Sequence, residues 1–130
     1  MRLALKDAEV SADEIDYVNT HGSSTPLNDS TETVAIKQVF GERAYSIPVS
    51  GTKGYYGHAL GASGAIEAAI CGLAMSRDWL PPTVNLANAD EACDLDYIKR
   101  VGRASCPEVI LSNSFGFGGI NAALVFRRAG

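Results

Sequence analysis

Two histidines and one lysine carry the chemistry this sequence could perform. His21 closes a strand-like run, Val18-Asn19-Thr20-His21-Gly22, and Lys53 and His58 share a glycine-punctuated loop, Thr52-Lys53-Gly54-Tyr55-Tyr56-Gly57-His58. A second glycine-rich turn, Asn113-Ser114-Phe115-Gly116-Phe117-Gly118-Gly119, lies near the C-terminus. Imidazole N–H groups, an ammonium and a nest of backbone N–H groups suit a reaction in which negative charge develops on a substrate oxygen. Such a site would need a covalent nucleophile, and none is evident. Cys71 falls inside a helical run, while Cys93 and Cys106 fall in polar or proline-flanked segments with no helix N-terminus to lower a thiol pKa.

The elements that must position these groups alternate between helix and strand. Residues 1–9 read as the end of a helix. Ser11 and Glu14 form a capping box that starts a short helical turn. Residues 15–19 alternate apolar and polar side chains as a strand does. Asp29 and Glu32 open a helix running from 31 to 40, which Gly41 is expected to close in the left-handed conformation. A short strand follows at 47–50, with Pro48 near its start. Strands at 109–112 and 122–126, joined through the second glycine turn, are expected to form an antiparallel hairpin. The order α-β-α-β-α-β-β predicts an α/β fold with a mixed sheet.

The helix expected over 62–77 is the most telling element. Ala65, Ile66, Ala68, Ala69, Ile70, Cys71, Leu73, Ala74 and Met75 leave it without a polar face, ending where Pro81 and Pro82 forbid continuation. A helix of that kind needs cover on several sides, from two sheets or from a second copy. The 130 residues are enough for one modest core, and this chain is expected to supply only part of that cover.

Bulk composition removes several function classes. A net charge of −4 with scattered basic residues argues against nucleic acid. No apolar run approaches membrane-spanning length. Three unevenly spaced cysteines make neither a disulfide framework nor a zinc motif, so a reducing cytoplasm is the expected compartment.

Four separated motifs in register, Thr20-His21-Gly22-Ser23-Ser24-Thr25-Pro26, Thr52-Lys53 with Gly57-His58, the helix entry at 61–67, and Asn113 to Gly119, resemble the C-terminal half of the elongating β-ketoacyl-acyl-carrier-protein synthases. The resemblance runs from about residue 10 to the end. It implies the C-terminal half of a thiolase-like fold, in which two α/β halves sandwich buried helices, within a homodimer or a complement with an N-terminal half. It also implies a decarboxylative Claisen condensation between a malonyl thioester on acyl carrier protein and an acyl group held on an active-site cysteine. No cofactor is implied, because phosphopantetheine arrives on the carrier protein, and neither is a metal.

Residue by residue, the resemblance makes His21 and His58 the catalytic histidines and Lys53 the lysine that positions a histidine. Phe117 becomes a gating residue whose backbone N–H completes an oxyanion hole. Ser23 and Thr25 are expected to bind the pantetheine arm, with Gly116 and Gly118 beside the substrate; Ser23 is commonly threonine in the family. Asp29 and Glu32 match acidic residues near Lys53 that hold it charged, and Glu67 matches a structural glutamate. The family's cysteine belongs to the N-terminal half, so the chain is expected to be a fragment that does not condense substrates alone. Two other readings compete: a non-catalytic half-domain that assembles with another chain or binds acyl carrier protein, and a metal site built from the two histidines with Glu67 or Asp29. Phe115 reads as a simple core aromatic.

Overall fold

The computed structural model describes all 130 residues. The chain forms α1 (Arg2–Asp7), β1 (Tyr17–Thr20), α2 (Asn28–Phe40), β2 (Val49–Gly51), α3 (Ser63–Arg77), β3 (Trp79–Leu80), β4 (Arg103–Ala104), β5 (Val109–Phe115) and β6 (Asn121–Arg127). Four strands make one mixed sheet in the order β2-β1-β5-β6. Strand β1 runs parallel to both neighbours, with Val18 opposite Val49 and Leu111, while β5 and β6 pair antiparallel from Val109–Arg127 to Phe115–Asn121.

The period of two along the central strands divides the core. Val18, Val109 and Leu111 face one side, where they meet Leu5 of α1 and Ile36 and Phe40 of α2. Tyr17 and Ile110 face the other, where they meet Cys71, Ala74 and Met75 of α3. All four residues of β1 are buried, as expected of a parallel strand covered on both faces.

The all-round apolar character of the third helix has a physical counterpart. Its buried positions are Ser63, Glu67, Cys71, Ala74 and Met75, a single stripe against the sheet that contains a carboxylate and a hydroxyl. The opposite stripe is apolar yet open: Ala65 and Ala69 are exposed, and Leu73 is 57% exposed. The first turns of the helix therefore reverse the usual amphipathic pattern, with Glu67 inside and Ala65 and Ala69 outside, while Cys71, Ala74 and Met75 pack inward and Arg77 is exposed. The helix ends on Asp78 in the left-handed conformation, φ 50° and ψ 45°.

Several expectations are corrected. Gly41 has φ 57° but ψ −136°, outside the left-handed helical region, and the chain continues into a 3-10 turn over Gly41–Tyr45. The second helix begins at Asn28, so Asp29 lies inside its first turn. The Ser11–Glu14 capping box is present as expected, around a short 3-10 turn (Ala12–Glu14). Strands β3 and β4 were not anticipated, because two-residue pairings carry no periodic signal.

Candidate functional site

The site forms where β1 and β2 end side by side. Beyond them the chain turns sharply: Gly22 adopts φ +47°, and a Cβ there would come within 2.9 Å of Thr20 Oγ1 and 3.0 Å of Gly51 Cα. A side chain at Gly22 would be strained and would force the two strand ends apart. His21 thus leaves β1 buried, whereas His58 is exposed on the loop before α3. Their rings meet edge to face, centroids 5.3 Å apart at 75°. Phe115, at the end of β5, packs against His21 with centroids 5.6 Å apart, so it lines the site rather than serving only as a core aromatic.

Each histidine is held by a different device. The His58 ring accepts the Leu60 backbone N–H at Nδ1, 3.1 Å away, with Ser63 Oγ at 3.2 Å from the same nitrogen. In the neutral ring an accepting Nδ1 leaves the proton on Nε2, so His58 presents an N–H donor on its far side. His21 is fixed through its backbone: its N–H and that of Gly22 donate to the two carboxylate oxygens of Glu32, at 2.9 and 3.0 Å. Asn113 from β5 donates to Glu32 at 3.1 Å. Burial pushes the Glu32 carboxyl up, opposed by its donors, Gly22 first.

The Lys53 side chain is buried, only 5% exposed. Its ammonium donates to the His21 carbonyl at 2.6 Å and pairs with Glu67, which is fully buried on α3. This corrects the assignment of Asp29 and Glu32 as the lysine's partners. Glu32 is spent on the backbone of residues 21 and 22, and Asp29 accepts the Ser24 N–H at 3.1 Å. The helical stripe of α3 carries Glu67 to the lysine, and sequence separation gives no hint of that.

Desolvation is the main cause that drives the His21 pKa down to about 4, helped by the charges of Lys53 and His58 and opposed by Asp29. His21 is therefore a neutral imidazole across physiological pH. Because its folded pKa lies below the unfolded value near 6.5, the unfolded chain binds the proton first as pH falls. The stability that His21 contributes is complete above about pH 6.5 and is lost as pH falls toward about 4. Titration of the ring by nuclear magnetic resonance is expected to give a midpoint well below 5.5, and a midpoint near 6.5 contradicts the burial argument.

The remaining site residues are distributed around this centre. Ser23 and Thr25 hydroxyls lie 3.3 Å apart. Thr25 and Asp29 line a cleft of about 590 Å³ between the strand ends and the 83–93 loop, and His21, Lys53 and His58 do not. Gly116, Phe117 and Gly118 form the turn after Phe115, with the Phe117 side chain 93% exposed. Glu67 and Asp29 do not join the histidines as ligands, and no three His, Cys, Asp or Glu side chains are grouped as a metal site requires. Neither Cys71 nor Cys106 is poised for attack: Cys71 is fully buried with its thiol pushed up to about 12 by desolvation, and Cys106 is shifted up chiefly by the neighbouring Asp78. Sequence reasoning gave no role to Tyr56, Ser63 and Asn113, whose contacts arise only from the fold. Ser63, Asn113 and Phe115 lay inside motifs that could have flagged them.

Known proteins resemble the chain in sequence and in fold. Residues 1–87 match the model of the beta-ketoacyl synthase C-terminal domain. The 3-oxoacyl-[acyl-carrier-protein] synthase 2 of Synechocystis sp. is 53% identical over 96% of the chain, and that of Coxiella burnetii is 48% identical over 98%. The chain spans only about 30% of the length of these relatives. A beta-ketoacyl synthase from Burkholderia phymatum superposes with a TM-score of 0.93 at 49% identity, covering all of this chain and 31% of the other. A type II polyketide ketosynthase bound to its acyl-carrier protein and a hexaketide gives 0.96 at 41% identity, covering 98% of this chain and 31% of that one. Matched by the family model across two-thirds of its length, and by relatives in sequence and fold across nearly all of it, the chain belongs to the beta-ketoacyl synthase family, as the C-terminal half of its thiolase-like fold.

Proposed function

We propose that this chain supplies the decarboxylation half of an elongating ketosynthase site. His21 and His58 donate N–H bonds to the thioester oxygen of a malonyl group carried by acyl carrier protein. Loss of carbon dioxide leaves an electron pair that delocalises onto that oxygen. The enolate carbon attacks the acyl carbonyl held on a cysteine from outside these 130 residues, forming the carbon–carbon bond and releasing that cysteine as its thiolate. The observation that carries this reading is the edge-to-face pair of imidazoles with the His58 Nδ1 already occupied by a backbone N–H. Lys53 holds the His21 carbonyl and adds positive field, and Glu32 holds the His21 and Gly22 amides. In this reading Ser23 and Thr25 receive the pantetheine arm, Gly116 and Gly118 border the substrate, and the Phe117 N–H faces the acyl intermediate.

The open apolar stripe of α3 supports the same reading, since Ala65, Ala69 and Leu73 require a covering surface that this chain does not provide. An N-terminal half with the cysteine fits there, within a dimeric cytoplasmic enzyme that needs no cofactor beyond the carrier's phosphopantetheine. The test is reconstitution with the N-terminal half of a related ketosynthase. Malonyl decarboxylation and condensation are expected from the mixture and neither from this chain alone; condensation by this chain alone refutes the division of labour. Cys71→Ser is expected to leave the reconstituted rates within about twofold, because a desolvated thiol is a poor nucleophile. A complete loss of condensation in that variant points to Cys71 as the nucleophile.

A further inference from the structure

Tyr56 belongs to no motif that brought the family into view, yet its phenol sits at a junction. Its hydroxyl donates to Glu67 Oε1 at 3.1 Å, the same oxygen that pairs with Lys53. Thr52 also neighbours the phenol. Thr52 in turn accepts from Asn19 Nδ2 at 3.4 Å, and that amide also donates to Tyr17 at 3.3 Å. Tyr17 and Ser50 hydroxyls lie 2.6 Å apart beneath them. A polar network inside the sheet thus reaches the Lys53–Glu67 pair through one phenol. Glu67 Oε2 is buried with no partner in the chain, so Oε1 carries all of the carboxylate's restraint.

We infer that Tyr56 is a positioning residue of the site, fixing Glu67 so that the Lys53 ammonium stays directed at the His21 carbonyl. With two donors on Oε1, the carboxylate cannot rotate without breaking one of them. Without the phenol, Lys53 alone holds Glu67, and the pair can turn about a single contact. Lys53 then leaves the His21 carbonyl more often, and the imidazole loses its fixed presentation. The hydroxyl is a durable donor, since desolvation pushes its pKa up to about 12. The catalytic consequence rests on the ketosynthase reading above, whereas the effect on Lys53 does not.

The two parts are separable by experiment. In a 15N-lysine spectrum of this chain, Tyr56→Phe is expected to speed hydrogen exchange of the Lys53 ammonium about tenfold, in line with losing one charge-assisted hydrogen bond. Thr52→Val is expected to shift it in the same direction by less, and Tyr55→Phe to leave it unchanged. In the reconstituted enzyme, Tyr56→Phe is expected to lower kcat for malonyl decarboxylation about tenfold with KM within about twofold, the signature of a lost transition-state contact. An unchanged ammonium exchange rate in Tyr56→Phe overturns the inference. So does a changed exchange rate beside an unchanged kcat in an active parent. An inactive parent refutes the ketosynthase reading, and the exchange measurement then judges Tyr56 by itself.

Discussion

Glu67→Ala is expected to cost about 3–5 kcal/mol of folding stability, because it leaves the Lys53 ammonium buried without its counter-charge. The ammonium would keep only the His21 carbonyl, and Tyr56 would lose the oxygen its phenol donates to. A single domain of this size holds only about 5–15 kcal/mol in total, so the variant should lose a large share of its stability and unfold at a clearly lower urea concentration than the parent. The partner substitution sharpens the expectation. Lys53→Met in the Glu67→Leu background removes both charges and fills both volumes with hydrocarbon, which is often neutral for buried pairs. Urea denaturation should therefore place the double variant closer to the parent than to Glu67→Ala. A loss below about 1 kcal/mol for Glu67→Ala, the range of exposed pairs, contradicts the burial of this pair.

His58→Ala should have the larger functional effect. A pre-aimed donor at a developing oxyanion is worth about 10²–10³ in rate, and His58 is the ring whose donor nitrogen is fixed by the Leu60 N–H. In the reconstituted enzyme, decarboxylation of malonyl thioester is expected to fall by that factor. Acylation of the cysteine supplied from outside these 130 residues should stay within a few-fold, since in the proposed reading His58 takes no part in that transfer. Single-turnover acylation against steady-state decarboxylation separates the two. Loss of acylation before decarboxylation shows that the role assigned to His58 is wrong. His21→Ala is a poorer probe, because that ring is packed against Phe115 and its removal opens a cavity.

What could be read without coordinates divides along physical lines. Elements with a period were legible: the antiparallel hairpin, the strand before His21 and the third helix all follow from alternation or from a long apolar run. Ends were not. Gly41 took a positive φ but the wrong ψ, and β3 and β4 are too short to show a pattern. Within the site, the histidines and Lys53 were visible because they sit in glycine-bounded motifs that allow close backbone approach. The lysine's partner was misread. Asp29 and Glu32 were the acids that the resemblance placed near the lysine, but both carboxylates turn to backbone N–H groups of the loop before α2, those of residues 21, 22 and 24. Glu67 reached Lys53 only through the stripe that α3 turns toward the sheet, a consequence of packing. Tyr56 was invisible for the same reason.

The third helix shows the limit from the other side. Its sequence announced a need for more cover than 130 residues provide, and the fold locates that need on Ala65, Ala69 and Leu73 while Glu67 lies inside. Composition alone could not say which stripe faced in, because the buried stripe includes Glu67.

The account depends on two neutral imidazoles meeting in one place, each with a proton on the nitrogen that faces substrate. Long-range 15N–1H correlation of the two histidine rings in this chain at pH 8, with ring-to-ring nuclear Overhauser contacts, reads this directly. The expected spectrum shows His58 as the Nε2–H tautomer, as its Leu60 contact demands, and cross-peaks between the His21 and His58 rings. A His58 ring protonated on Nδ1, or two rings with no contact between them, contradicts it.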